Sequence, residues 1–125
     1  MNDTSSASVL VVDDTPDVRE AVGLLLRTHG YSVDSAVDGF DAIRKLEGGL
    51  RPDLILLDVA MPRMDGFAVR RWLSADERFS EIPVVLLTGI YDPPRARRLS
   101  GLPVVSKTAG GDVIVSVIEQ HLRAS

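Results

Sequence analysis

The sequence predicts an α/β fold, a doubly wound parallel sheet of five strands with helices on both faces, and three observations carry that reading. Short apolar runs alternate with longer amphipathic stretches five times within 125 residues. The runs are continuously apolar rather than alternating, which is the pattern of strands covered on both sides. The composition, 45% hydrophobic and 26% charged, is that of an ordinary packed domain, and a chain of this length buries about two thirds of its unfolded surface.

The elements follow in order. Residues 1–8 are small and polar and read as a flexible N-terminus, with a single domain over residues 9–123. Val9-Leu10-Val11-Val12 forms the first strand. A helix follows, with Thr15 as cap, Pro16 at the first helical position and Val18, Ala21, Val22 and Leu25 along one face. Gly30 ends it, with His29 as a cation near its C-terminus. Tyr31 to Ala36 is the second strand, and Ala42, Ile43 and Leu46 mark a second helix closed by Gly48-Gly49. Leu54 to Leu57 is the third strand. The third helix starts after Gly66, and its Phe67 and Trp72 read as core. Pro83 to Leu87 is the fourth strand. Pro93-Pro94 and Gly101 then confine the next helix to about Pro94 to Leu99, since proline is tolerated only in a first turn. Pro103-Val104-Val105 is the fifth strand, and the last helix runs from about Asp112 to Arg123 with Val113, Val117 and Ile118 inward. No repeat, linker or low-complexity segment marks a second domain, so no output domain is expected within these residues.

Charge and composition exclude several functions. There are 14 Lys and Arg against 18 Asp and Glu, a net charge of −4, which argues against direct nucleic-acid contact through phosphate neutralisation. Without cysteine there are no disulfides, thiolate zinc sites or cysteine nucleophiles, and two histidines, His29 and His121, argue against a zinc centre. No stretch resembles a signal peptide, and none approaches the roughly 20 apolar residues of a membrane span, so the expected location is cytoplasmic, with no membrane partner.

Ligands of open α/β sheets bind at the carboxyl ends of the strands. The residues there are Asp13 and Asp14, Asp58, Thr88 and Gly89, and Ser106 and Lys107. A single aspartate at a strand end commonly caps the next helix. Three carboxylates gathered at one crevice repel one another, however, and make sense only with a cation. Donors made of oxygen alone select a hard divalent ion, and Mg2+ fits a site of one or two carboxylates plus phosphate oxygens. With its charge so balanced, Asp58 can act as a nucleophile toward a phosphoryl group, while the Lys107 ammonium and Thr88 hydroxyl absorb charge on the phosphoryl oxygens.

The order of these features resembles the receiver domain of two-component response regulators. The resemblance rests on Val9-Leu10-Val11-Val12-Asp13-Asp14, Gly30-Tyr31-Ser32-Val33 with Ala36 and Gly39, Asp58-Val59-Ala60-Met61-Pro62-Arg63-Met64-Asp65-Gly66, Leu87-Thr88-Gly89 and Lys107, and it spans nearly the whole chain. It implies a flavodoxin-like strand order of 2-1-3-4-5. It also implies that Asp58 accepts phosphate from a histidine kinase or phosphotransfer protein. Asp13, Asp14, Asp58 and the Ala60 carbonyl would hold Mg2+, and Thr88 and Lys107 would contact the phosphoryl group. Phosphorylation would then switch the conformation read by a downstream protein partner.

Departures from the family pattern fall in the last third. Receivers usually carry proline after the lysine, in a cis peptide, where this chain has Lys107-Thr108. A cis bond before a non-proline residue costs about 2.5–4 kcal/mol, so a trans peptide and a re-routed loop through Ala109-Gly110-Gly111 are expected. Val104 stands where the family commonly places an aromatic switch residue, and the interval from Thr88 to Lys107 is short. The face that often serves output or homodimerisation is therefore altered, and Arg95, Arg97 and Arg98 make it basic, either as a solvated face or as a docking patch for an acidic partner. Two other readings stand beside the phosphorylation switch. One is a pseudo-receiver that signals by protein contact alone. The other is a phosphohydrolase, which commonly needs a second acid at the position of Ala60. Setting aside Asp13, Asp14 and Asp58 leaves 15 acids against 14 bases, so most of the excess negative charge belongs to one predicted site.

Overall fold

The computed structural model describes residues 7–61, 64–89 and 101–124. Five strands, β1 (Ser8–Val12), β2 (Ser32–Ala36), β3 (Leu54–Asp58), β4 (Val84–Thr88) and β5 (Val104–Ser106), form one parallel sheet in the order β2-β1-β3-β4-β5. Four described helices, α1 (Pro16–Thr28), α2 (Gly39–Glu47), α3 (Gly66–Ser74) and α4 (Gly111–Ala124), cover it.

The continuous apolar runs divide their side chains between two cores. Leu10, Val12, Ile55, Leu57 and Leu86 face a cluster with Ala42 and Leu46 of α2, Val69 and Leu73 of α3, and Phe79. Val9, Val11, Leu54, Leu56, Val85 and Leu87 face the other side, against Val22 and Leu26 of α1 and Ile114 and Ile118 of α4. Period-two alternation thus explains why both faces of β1, β3 and β4 are apolar. Each fully buried aliphatic side chain contributes about 1.5–3 kcal/mol of transfer free energy. The edge strand β2 is only partly covered: Val33 packs against the second core and Ala36 is buried in the first, while Ser32 and Asp34 are exposed.

Several local expectations are corrected. Ser8 is not part of a flexible end. It opens β1 in register with Ser32 of β2, its carbonyl accepts from the Asp53 amide at 2.9 Å, and the Asp53 carboxylate accepts from its amide at 2.8 Å and its hydroxyl at 3.3 Å. Thr15 occupies the N-cap position of α1, but its side chain makes no capping bond. Instead its amide donates to Asp13 Oδ1 at 2.8 Å, so the aspartate closes that turn. Val113 is about half exposed, while Ile114, Val115 and Ile118 are buried. The phase of α4 is set at its start, where Gly111 lies against Leu25 so closely that a Cβ would sit 3.0 Å from Leu25 Cδ1. Counting from Gly111, the inward positions are 114, 115 and 118.

Other expectations hold. Phe67 and Trp72 pack against the first core, and the Trp72 ring stacks on Phe79 at 5.2 Å between centroids. His29 caps the C-terminus of α1 with its Nδ1 3.0 Å from the Leu25 carbonyl oxygen, and Gly30 turns the chain with a φ of 90° that favours glycine. No cis peptide occurs among the described residues, so Lys107-Thr108 is trans. The helix expected near Pro94 to Leu99, and with it Arg95, Arg97 and Arg98, lies outside the described residues.

Candidate functional site

Because β1, β3, β4 and β5 run parallel, their carboxyl ends open on the same edge of the sheet. Asp13 follows β1, and Asp58 and Thr88 are the last residues of β3 and β4; all three are at most 1% exposed. Asp14, next along, is exposed. Lys107 follows β5, and its amide donates to the Thr88 carbonyl at 2.8 Å, which extends the β4–β5 pairing by one bond. Its ammonium lies 2.9 Å from Asp13 Oδ2 and 3.2 Å from Asp58 Oδ1. Strand ends that are 94 residues apart in sequence, Asp13 and Lys107, are thereby in direct contact.

The segment after Asp58 folds back over it. The Ala60 amide donates to Asp58 Oδ1 at 3.3 Å, and the Gly66 amide donates to the Val59 carbonyl at 2.9 Å. A Cβ on Gly66 would lie 2.5 Å from the Asp58 carbonyl oxygen, so only glycine permits this approach. Asp65 then starts α3 by accepting from the Ala68 amide at 2.9 Å. Met61 is buried in the first core. Val104 is half-buried, pairs with Leu86 in the sheet and packs against the core shared with α2 and α3.

Carboxylate oxygens of Asp13, Asp14 and Asp58 lie within 4.8 Å of one another. Burial, and then the charge of Asp13, push the Asp58 carboxyl up from its ordinary 3.8 to about 6, against the opposing pull of Lys107. Burial works against the Lys107 charge, but its hydrogen bond to Asp13 and the charges of both carboxylates outweigh this and raise its pKa. Three carboxylates facing one ammonium leave a net charge of −2. Asp58 Oδ2 is buried without a hydrogen-bond partner among the described residues. A buried acceptor of this kind is costly unless something positive fills the place beside it. The donor set of oxygens, its excess charge and its orphaned atom all fit a hard divalent cation.

Asp13, Asp14, Asp58, Thr88 and Lys107 thus come together as the sequence suggested, and Ala60 adjoins them. Arg19 was not foreseen. From the first turns of α1 its Nη1 reaches back to donate to the Asp13 carbonyl at 2.8 Å, fixing the backbone that carries the acidic pair. The available signal was an arginine six residues beyond Asp13, on a helix that leaves the strand end directly.

A family model described as the response regulator receiver domain matches residues 9–119. The DNA-binding dual master transcriptional regulator RpaA of Synechocystis sp. is 43% identical over 82 residues, which are 66% of this chain and 34% of that protein. The chain therefore spans about a third of that relative's length. Protein PilG of Pseudomonas aeruginosa is 29% identical over 117 residues, covering 91% of this chain and 86% of PilG. Among solved structures, the signal receiver domain of a signal transduction histidine kinase from Syntrophus aciditrophicus superposes with a TM-score of 0.84 at 34% identity, over 95% of this chain and 92% of that one.

Proposed function

The chain belongs to the response regulator receiver domain family, and from that premise we propose that Asp58 is its phosphoacceptor and that phosphorylation there switches the domain. A carboxylate oxygen of Asp58 attacks the phosphorus of a donor phosphohistidine. The new O–P bond forms as the P–N bond breaks, and that electron pair leaves with the imidazole nitrogen. The observation that carries this reading is the buried, unsatisfied Oδ2 of Asp58 with Lys107 3.2 Å from its other oxygen. A carboxyl titrating near 6 is largely ionised at neutral pH, so the nucleophile is available.

Asp13, Asp14, Asp58 and the Ala60 carbonyl would hold Mg2+, which when bound supplies positive charge to the phosphoryl oxygens in the transition state. Lys107 stays at the same position and exchanges its contact with Asp58 Oδ1 for one with the transferred group. Thr88, at the end of β4, offers its hydroxyl to that group and thereby carries the change into the sheet. Because Val104, paired with Leu86 two residues before Thr88, stands in place of an aromatic side chain, the switch reaches the surface by backbone and packing shifts, not by a ring turning inward.

The donor is a histidine kinase or a histidine phosphotransfer protein, and the output is contact with a further protein rather than turnover of a separate substrate. A net charge of −4 disfavours direct contact of these residues with DNA phosphates. Among the described residues no helix is long and apolar enough to cross a membrane, and a histidine-kinase phosphodonor supports a cytoplasmic location. Incubation with Mg2+ and acetyl phosphate tests the reading by intact mass. A gain of one phosphoryl group that is lost in Asp58→Asn supports it, and an unmodified wild type would leave the pseudo-receiver reading in its place.

A further inference from the structure

The turn that presents Lys107 is closed by two hydroxyl side chains for which the phosphoryl chemistry has no use. Ser106 ends β5, and its carbonyl accepts from the Ala109 amide at 3.0 Å. Its Oγ accepts from the Thr108 amide at 3.1 Å and lies 2.8 Å from Thr108 Oγ1. Lys107, between them, is fastened through its own amide to Thr88. Neither hydroxyl residue belongs to the two apolar cores, and Thr108 is exposed. Their contacts therefore fix the shape of the turn and contribute little to packing.

That shape matters because the Lys107 ammonium stands at the end of a long, flexible stem and must meet two fixed carboxylates at once, at 2.9 and 3.2 Å. A small rotation of the backbone at Lys107 is enlarged along the side chain into a displacement comparable with those distances. The Ser106 hydroxyl opposes such rotation by holding the next amide. Gly89 leaves the stem room on the other side, since even a Cβ there would come only to 3.5 Å from Lys107 Cδ.

We propose that the Ser106–Thr108 hydroxyl pair positions Lys107, so that these two residues set how well the ammonium is aimed at Asp13 and Asp58. Both are positioning residues, acting through Lys107. The consequence for phosphorylation rests on the phosphoacceptor reading given above, whereas the consequence for the ammonium does not. A net intramolecular hydrogen bond is worth about 1 kcal/mol, so losing one lowers the equilibrium constant for the aimed turn about fivefold, which bounds the loss of aimed population.

The test uses the full chain with Ser106→Ala, Ser106→Thr and Thr108→Val. In the metal-free protein, the nitrogen and proton resonances of the Lys107 ammonium report whether it remains bridged between the carboxylates. With Mg2+ and acetyl phosphate, the phosphorylation rate divides into a limiting rate and a half-saturating donor concentration. Ser106→Ala is expected to move the ammonium signal toward that of a solvent-exposed lysine and to lower the limiting rate by up to about fivefold, with half-saturation unchanged. Ser106→Thr, which keeps the Oγ, restores both, and Thr108→Val shows a smaller effect of the same kind. An ammonium signal unmoved in Ser106→Ala, or a failure of Ser106→Thr to restore it, overturns the proposal. If the wild type takes up no phosphate, the phosphoacceptor reading falls and the ammonium signals alone decide the positioning role.

Discussion

Removing the charge of Asp58 should stabilise the metal-free protein while abolishing its proposed function. The folded state raises this carboxyl from 3.8 to about 6, and a shift of one unit corresponds to about 1.36 kcal/mol. Ionised Asp58 therefore costs the folded state up to about 3 kcal/mol. The native state binds more protons than the unfolded chain between the two pKa values. Stability consequently falls as pH rises from about 4 to 6, and the penalty is complete above 6. Asn keeps the shape without the charge. Asp58→Asn should gain about 2 kcal/mol at pH 7.5, an increase in Tm of roughly 5–10 °C for a domain of this size. The assay is thermal unfolding in chelator across pH 4 to 8, comparing wild type with Asp58→Asn. The gain should shrink steadily below pH 6 and vanish near 4. A gain that does not depend on pH, or a Tm that falls at pH 7.5, would refute the assignment of strain to the ionised carboxylate.

Three further outcomes follow from the same geometry. Mg2+ should raise the Tm of wild type by mass action, with about 2.7 kcal/mol at a hundredfold excess over Kd, and chelator should reverse it; Asp14→Asn should require more Mg2+ for the same shift. Gly66→Ala places a methyl group 2.5 Å from the Asp58 carbonyl oxygen and 3.0 Å from Val59 Cα, both backbone atoms, and should destabilise by about 1–3 kcal/mol in denaturant melts. Arg19→Met removes the bond to the Asp13 carbonyl, so calorimetry should show Mg2+ binding weakened about fivefold, the equivalent of one net hydrogen bond.

The parts of this molecule that sequence reveals are those governed by short-range periodicity and by the geometry of parallel sheets. Runs such as Val9 to Val12 and Leu54 to Leu57 are apolar at every position because both faces are covered, and this alone identifies β1 and β3. Once the strands are parallel, the residues at their carboxyl ends share one edge. Asp13, Asp58, Thr88 and Lys107 could therefore be grouped before any distance was known. What stayed hidden depends on rotation and reach. The phase of α4, which buries Ile114 in preference to Val113, follows from the contact of Gly111 with Leu25 on a distant helix. The hydrogen bond from Arg19 to the Asp13 carbonyl and the hydroxyl contact between Ser106 and Thr108 depend on side-chain conformations, and many sequences with the same pattern of apolar residues would lack them. The strand character of Ser8 is invisible in its own polar neighbourhood because it comes from pairing with Ser32 and from Asp53, 45 residues away.

In the proposed reaction one carboxylate, Asp58, receives the phosphoryl group. Its most direct test is chemical mapping after exposure to Mg2+ and a phosphorylated histidine phosphotransfer protein. Borohydride reduces an acyl phosphate to the alcohol, so a phosphorylated aspartate is recovered as homoserine in peptide sequencing by mass spectrometry. Homoserine is expected at position 58 only, dependent on Mg2+ and absent without the phosphodonor. Homoserine at position 13 or 14, or none anywhere while the donor loses its phosphate, would contradict it.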